Sequence, residues 1–208
     1  MVSEKSSNSP TNKVIWENNV ADLLSGRKDI AITGNPKILS SPYGNSVWFN
    51  GENDSIHLPD NPLKDLRFFT VEVLIKPDFK GPEEQRFLHI GEINSDRMLI
   101  ETRTTAEGQW YLDTFILSGE SQKTLIDPKL IHPIGKWYHV ALTLDKDGGM
   151  KNYINGKFEL EGNVEFKPSV SGEMSIGVRR NNVSWYKGSI YKIRISGEVL
   201  TPGQFMPF

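Results

Sequence analysis

Between Tyr138 and Leu144 every second residue is apolar: Tyr138, Val140, Leu142 and Leu144. That is the period of a β-strand with one buried face. "DKDGG" (145–149) then reads as a polar turn, and Tyr153-Ile154 leads into Asn155-Gly156, a strong two-residue hairpin signal. The stretch predicts three successive antiparallel strands. The same short rhythm runs along most of the chain. "DIAIT", "SVWFNG", "SIHLP", "FFTVEVLIKP", "RFLHIGE", "RMLIETR", "QWYLDTFIL", "EMSIGVR" and "GSIYKIRIS" are strand-like runs separated by Gly, Pro, Asn or Asp. A short strand is expected around Val14-Ile15-Trp16, followed by one helical turn through "VADLL" that Gly26 stops. Roughly a dozen short strands without a sustained helical period predict an all-β fold, a two-sheet antiparallel jelly-roll sandwich. No repeat or linker divides the chain. Residues 1–12, polar and rich in Ser and Asn, are expected to be disordered, and 13–208 to form a single domain.

Composition narrows the picture by exclusion. A formal charge of −2 on 208 residues gives no basic excess for nucleic acid. No apolar run approaches the length of a membrane span, so no membrane insertion is expected, and the N-terminal residues lack the apolar stretch of a signal peptide. There is no cysteine, which removes disulfides, thiolate metal sites and cysteine nucleophiles.

Several segments fall in an order that one family shares. "SVWFNG" (46–51), "FTVEVLIKP" (69–77), "GKWYHVALTLD" (135–145), "YINGK" (153–157), "SIG" (175–177), "YKGSIYKIRI" (186–195) and "LTPGQF" (200–205) succeed one another with family-like spacing. The chain resembles the laminin-G-like jelly roll, within the concanavalin A-like lectins and glucanases. The resemblance implies two stacked, curved sheets, the concave one often used for glycan. It also implies an extracellular, periplasmic or cell-surface setting, frequently beside a glycan-degrading enzyme.

Some members of this fold are glucanases, with carboxylates in an E-x-D-x-x-E pattern on one strand. Here Glu52-Asn53-Asp54 comes nearest, but the sixth position is His57 and the stretch follows "FNG" in a turn. Glu72 stands alone on the polar alternation of its strand and reads as a structural acceptor. His139, in mid-strand, reads as a hydrogen-bonded framework histidine, and Trp137 and Tyr138 as packing residues. The four histidines have no zinc-ligand spacing. In "DKDGGM" the calcium-loop pattern fails at Gly149 and Met150. Many relatives carry a calcium-ligating aspartate directly after "G-x-I" in the last strand, where this chain has Tyr191. By alternation Tyr191 shares a face with Ile193 and Ile195 and is expected in the core. No cofactor is expected, and structural calcium is doubtful.

Two regions carry ligand-like chemistry. The loop "RRNNVSWYKG" gathers Arg179, Arg180, Asn181, Asn182, Trp185 and Tyr186, aromatic rings beside planar polar groups, which suits a sugar. Trp185 is the expected stacking platform, while Tyr186 also falls where the family has a structural aromatic. In "RMLIETR", Leu99, Glu101 and Arg103 share a face, and with Trp110 they make a second candidate surface. "QWYLDTFIL" has apolar residues on both alternations, Trp110, Leu112 and Ile116 against Tyr111, Phe115 and Leu117, and so reads as a strand covered on both sides. The expectation is a non-catalytic carbohydrate-binding module of a secreted or cell-surface protein. A protein-interaction or adhesion module is the alternative, and a hydrolase or lyase of the same fold comes third.

Overall fold

The computed structural model describes residues 13–208, so the expectation for residues 1–12 lies outside the described residues. The chain enters through β1 (Val14–Asn19) and one short helix, α1 (Val20–Gly26), and continues through β2 (Ala31–Thr33), β3 (Lys37–Ser41), β4 (Gly44–Asn50) and β5 (Ser55–Leu58). The long strands follow: β6 (Phe69–Pro77), β7 (Glu84–Gly91), β8 (Arg97–Thr104), β9 (Gln109–Ser118) and β10 (Ser121–Ile126). After the two-residue β11 (His132–Pro133) come β12 (Tyr138–Leu144), β13 (Gly149–Ile154), β14 (Lys157–Asn163), β15 (Glu173–Ile176) and β16 (Lys187–Ser196).

These strands form two antiparallel sheets, the architecture the sequence predicts. The first has the order β14-β13-β12-β6-β16-β4-β3, with β1 also on β16. The second has the order β10-β9-β8-β7-β15-β5-β2, with β11 on β9. The "YING" signal forms the turn between β13 and β14, with positive φ of 50° and 72° at Asn155 and Gly156, as a type I′ turn requires. In "DKDGG", Asp145 Oδ1 accepts the Asp147 and Gly149 N–H groups and closes the polar turn.

The core lies between the sheets. Val71, Val73 and Ile75 of β6 and Val140 and Leu142 of β12 meet Leu88, Ile90, Ile100, Leu112 and Met174 from the other side. At about 25 cal/mol per Å2 of apolar surface removed from water, such a layer supplies most of the drive to fold. One buried hydrogen bond crosses it, Thr114 Oγ1 to Asn152 Oδ1 at 2.8 Å. Gly177 is required by this packing: its φ is +84°, and a Cβ there would sit 2.4 Å from the Phe49 ring.

The outer face of the first sheet is closed as well. All seven residues of β12 are buried, not only the apolar alternation. The segment after β16 lies across it: Leu200 N–H donates to Thr70 Oγ1, Leu200 and Phe205 pack on Ala141, and Phe208 stacks on His139 at 4.6 Å. Beneath them Glu72 accepts from Arg194 Nε at 2.7 Å, from Met206 N–H at 2.7 Å, and from His139 Nε2 at 2.9 Å. Glu72 is therefore a structural acceptor, as expected, but the centre of a buried network instead of a lone group. His139 is the framework histidine the sequence suggests. Among the described residues no helix is long and apolar enough to cross a membrane.

Tyr191 departs from expectation. A bulge between Ile190 and Lys192 breaks the alternation, so Ile190, Ile193 and Ile195 face the core while Tyr191 does not. It lies outside, its ring 5.6 Å from Tyr43, which in turn meets Trp137 edge-on.

Candidate functional site

The outer face of the second sheet is different. Alternation places Met98 and Ile100 of β8 inward and Arg97, Leu99, Glu101 and Arg103 outward. Register then pairs each outward residue with one on β9: Arg97 with Leu117, Leu99 with Phe115, Glu101 with Asp113, and Arg103 with Tyr111. On the other side β7 sets Arg86 beside Glu101 and Glu84 beside Arg103, despite a bulge between Arg86 and Leu88. The product is a depression of about 230 Å3, lined by Arg86, Arg97, Leu99, Glu101, Arg103, Asp113, Phe115, Thr124 and Arg179.

Its charged groups are linked. Arg103 binds Asp113 Oδ2 through both Nε and Nη2 at 2.9 and 2.8 Å, and Glu84 through Nη1 at 2.7 Å. Arg86 Nε lies 2.9 Å from Glu101 Oε1, and Arg86 also pairs with Glu84. Glu101 and Asp113 are each only 2% exposed. Burial, and then the neighbouring Asp113 carboxylate, push Glu101 up to about 7 despite Arg86 and Arg103. Burial also raises Asp113, against the pull of Arg103. Arg97 sits over the Phe115 ring at 5.1 Å, a cation–π contact, and donates to the Ser95 carbonyl at 2.8 Å.

The loop after β15 forms the wall at one end. Arg86 N–H donates to the Ser184 carbonyl at 2.9 Å, and Arg179 Nη2 to the Ile93 carbonyl at 3.2 Å. Arg180 turns the other way, to the Gly91 carbonyl at 2.7 Å and to Glu173. Its backbone N–H donates to His89 Nδ1, while His89 Nε2 donates to the Glu92 carbonyl. Burial holds His89 neutral, its pKa down to about 3. Asn182 is an exposed turn residue with φ of 59°, its N–H bonded to the Arg179 carbonyl.

Of the residues singled out from sequence, the structure thus brings Glu101, Arg103 and Arg179 together in one place. Arg180 and Asn182 shape the wall, and Trp185 is half-buried outside the depression's lining. Two expectations are corrected. Trp110 is fully buried and belongs to the inward alternation, its ring 5.1 Å from Tyr138, so it does not share the Glu101 face. Tyr186 is also fully buried, between Phe49 and Phe87 at 6.5 and 5.5 Å, and takes the structural role, not a binding one. The outward residues of β9 are not covered: Tyr111 and Phe115 are half-buried, and Phe115 faces the depression. Arg86, Arg97 and Asp113 were missed, although the parity of Arg97 with Glu101, and of Asp113 with Phe115, was available. The Glu52–Asp54 stretch is a structural turn, with Asp54 accepting the Asn35 and Asn50 N–H groups. Among the described residues no cluster of three or more His, Asp or Glu is arranged to hold a metal ion.

Solved structures share this architecture. Domain 4 of an extracellular arabinanase from Geobacillus stearothermophilus, in complex with arabinotriose, superposes with a TM-score of 0.68 at 22% identity, over 93% of this chain and 96% of that one. The receptor-binding domain of the botulinum neurotoxin C/D mosaic serotype gives 0.67 at 16% identity, over 92% of this chain and 49% of that one. The serotype D binding domain gives 0.65 at 17%, over 92% and 50%, so this chain spans about half of each toxin domain. No curated protein matches the chain in sequence. The family model for the concanavalin A-like lectin/glucanases superfamily, in its laminin-G form, matches residues 50–204, from the end of β4 to the segment that closes the first sheet, and the chain belongs to that family.

Proposed function

We propose that this domain is a non-catalytic carbohydrate-binding module, working outside the cytoplasm. The observation that carries the reading is the depression on β7, β8 and β9, which sets buried carboxylate and guanidinium groups beside the Phe115 ring. Sugar hydroxyls both donate and accept, and planar charged groups serve them on either count. The other sheet is closed by the C-terminal segment over β6 and β12, which leaves this face open to a ligand. Support comes from the arabinanase domain, whose structure contains arabinotriose, and from neighbours that are receptor-binding domains.

A hydrolase reading has one observation in its favour. Glu101 and Asp113 are direct cross-strand partners, and Glu101 is raised to about 7, as a general acid requires. Against it, Arg103 holds Asp113 through two nitrogens, which occupies the carboxylate that would attack or activate water. Glycan-array binding of the whole chain, followed by titration calorimetry of the hits, tests the module. Incubation of those hits with the protein is expected to release no reducing ends. Turnover that Glu101→Gln abolishes would make it an enzyme, and binding to protein ligands with a blank glycan array would make it an adhesion module.

A further inference from the structure

The depression has two unlike ends. At one, Glu101 Oε2 and Asp113 Oδ1 are buried acceptors without a hydrogen-bond partner, on side chains that are 2% and 3% exposed. At the other, the Nε groups of Arg97 and Arg179 are buried donors without one. Among the described residues neither Arg97 nor Arg179 has a carboxylate partner, whereas Arg86 and Arg103 share Glu84, Glu101 and Asp113. Four guanidiniums thus face three carboxylates, with the excess positive charge at the Arg97–Arg179 end. After burial itself, Arg179 and then Arg86 lower the pKa of Arg97, the mark of like charges held near one another, while Glu101 pulls it back up. Buried polar atoms left without a partner are costly, and a ligand that supplies the missing partners would account for them here.

We propose that the depression takes a carboxylated sugar, with its carboxylate between Arg97 and Arg179 and its hydroxyls on the free oxygens of Glu101 and Asp113. This rests on the carbohydrate reading above and narrows it to acidic glycans. A carboxylate is planar and matches the guanidinium fork, which favours it over a neutral hydroxymethyl at the same place. Phe115 holds the Arg97 guanidinium in position before the ligand comes, so little ordering is left for binding. The volume, about 230 Å3, equals roughly eight waters at about 30 Å3 each, the scale of one sugar ring and not of a chain.

The test is titration calorimetry of the whole chain with trigalacturonate, a hyaluronan tetrasaccharide and sialyllactose. Each is compared with its methyl ester, which keeps the shape and removes the charge. At least one free acid is expected to bind ten times or more tightly than its ester. Arg97→Gln and Arg179→Gln should each cut that preference to less than threefold, while Arg97→Lys keeps part of it. Should a Gln variant fail to fold by circular dichroism, the acid-to-ester ratio of the unaltered protein decides alone. Equal affinity for acid and ester, or a stronger response to a sulfated glycan without carboxylates, overturns the inference and leaves the carbohydrate reading standing. If no acid, no ester and no neutral oligosaccharide such as arabinotriose binds, both fall.

Discussion

Replacing Glu101 by Gln isolates one electrostatic consequence of the depression on the second sheet. The carboxyl is 2% exposed, and its ordinary value of 4.5 is raised to about 7 by burial and by Asp113. Between those two values the folded protein binds a proton that the unfolded chain releases. Stability therefore falls as pH rises through this window, the reverse of the usual carboxylate case. The difference of about 2.5 units corresponds, at about 1.4 kcal/mol each, to on the order of 3 kcal/mol lost between pH 4.5 and 8. Glutamine keeps the shape and cannot ionise, so it escapes that loss. Urea unfolding of both proteins from pH 4.5 to 8 measures it as the gap between them. The gap is expected to move by about 3 kcal/mol in favour of Glu101→Gln as pH rises. His89 acts oppositely. Its pKa falls from 6.5 to about 3, so it contributes stability that is complete above 6.5 and lost on acidification. It is present in both proteins and cancels in the difference. A gap that stays constant with pH would mean that Glu101 ionises as in water and that Arg86 and Arg103 offset its burial.

Other outcomes follow from the same geometry. Glu72→Ala leaves Arg194 and His139 facing each other without their shared acceptor, and should destabilise the fold by about 3–5 kcal/mol in urea unfolding. Trp110→Ala should cost a similar 3–5 kcal/mol through the cavity it opens. Trp185→Ala, outside the depression, should change glycan affinity less than about threefold, a value at which interface truncations count as minor. EDTA is expected to leave the melting temperature unchanged, since Tyr191 stands where the family resemblance implies a calcium-ligating aspartate in many members; a drop of several degrees reversed by calcium would refute this.

The strands that carry a strong alternation, β4, β6, β12 and β16, were legible in the sequence, as was the Asn155-Gly156 turn. β3 and β10 were not, because they lie at sheet edges where most of their residues are exposed or half-buried and no apolar stripe is needed. Tyr191 was misplaced because a bulge shifts the alternation by one, and no local signal marks it. The candidate site was legible only strand by strand. Parity puts Glu101 and Arg103 on one face, but only the register of β7, β8 and β9 sets them beside Arg86 and Asp113. Register is a property of pairs of strands, fixed by packing far along the chain. Trp110 and Tyr186 were misread for a simpler reason: aromatic side chains suit a core and a sugar site equally well.

The pairing of β6 with β16 has a kinetic consequence. Val71 meets Ile195 and Thr70 meets Ser196, and at the chain's start Val14 also meets Ser196. The middle of the first sheet therefore closes only when residues more than a hundred apart find one another, a long loop to close before any contact rewards it. During synthesis, β6 can pair with β12 but lacks its other neighbour until β16, ending at Ser196, has emerged. Folding is then expected to be slow for the size of the domain, and its vulnerable interval to last until β16 is in place, while unpaired edges invite aggregation.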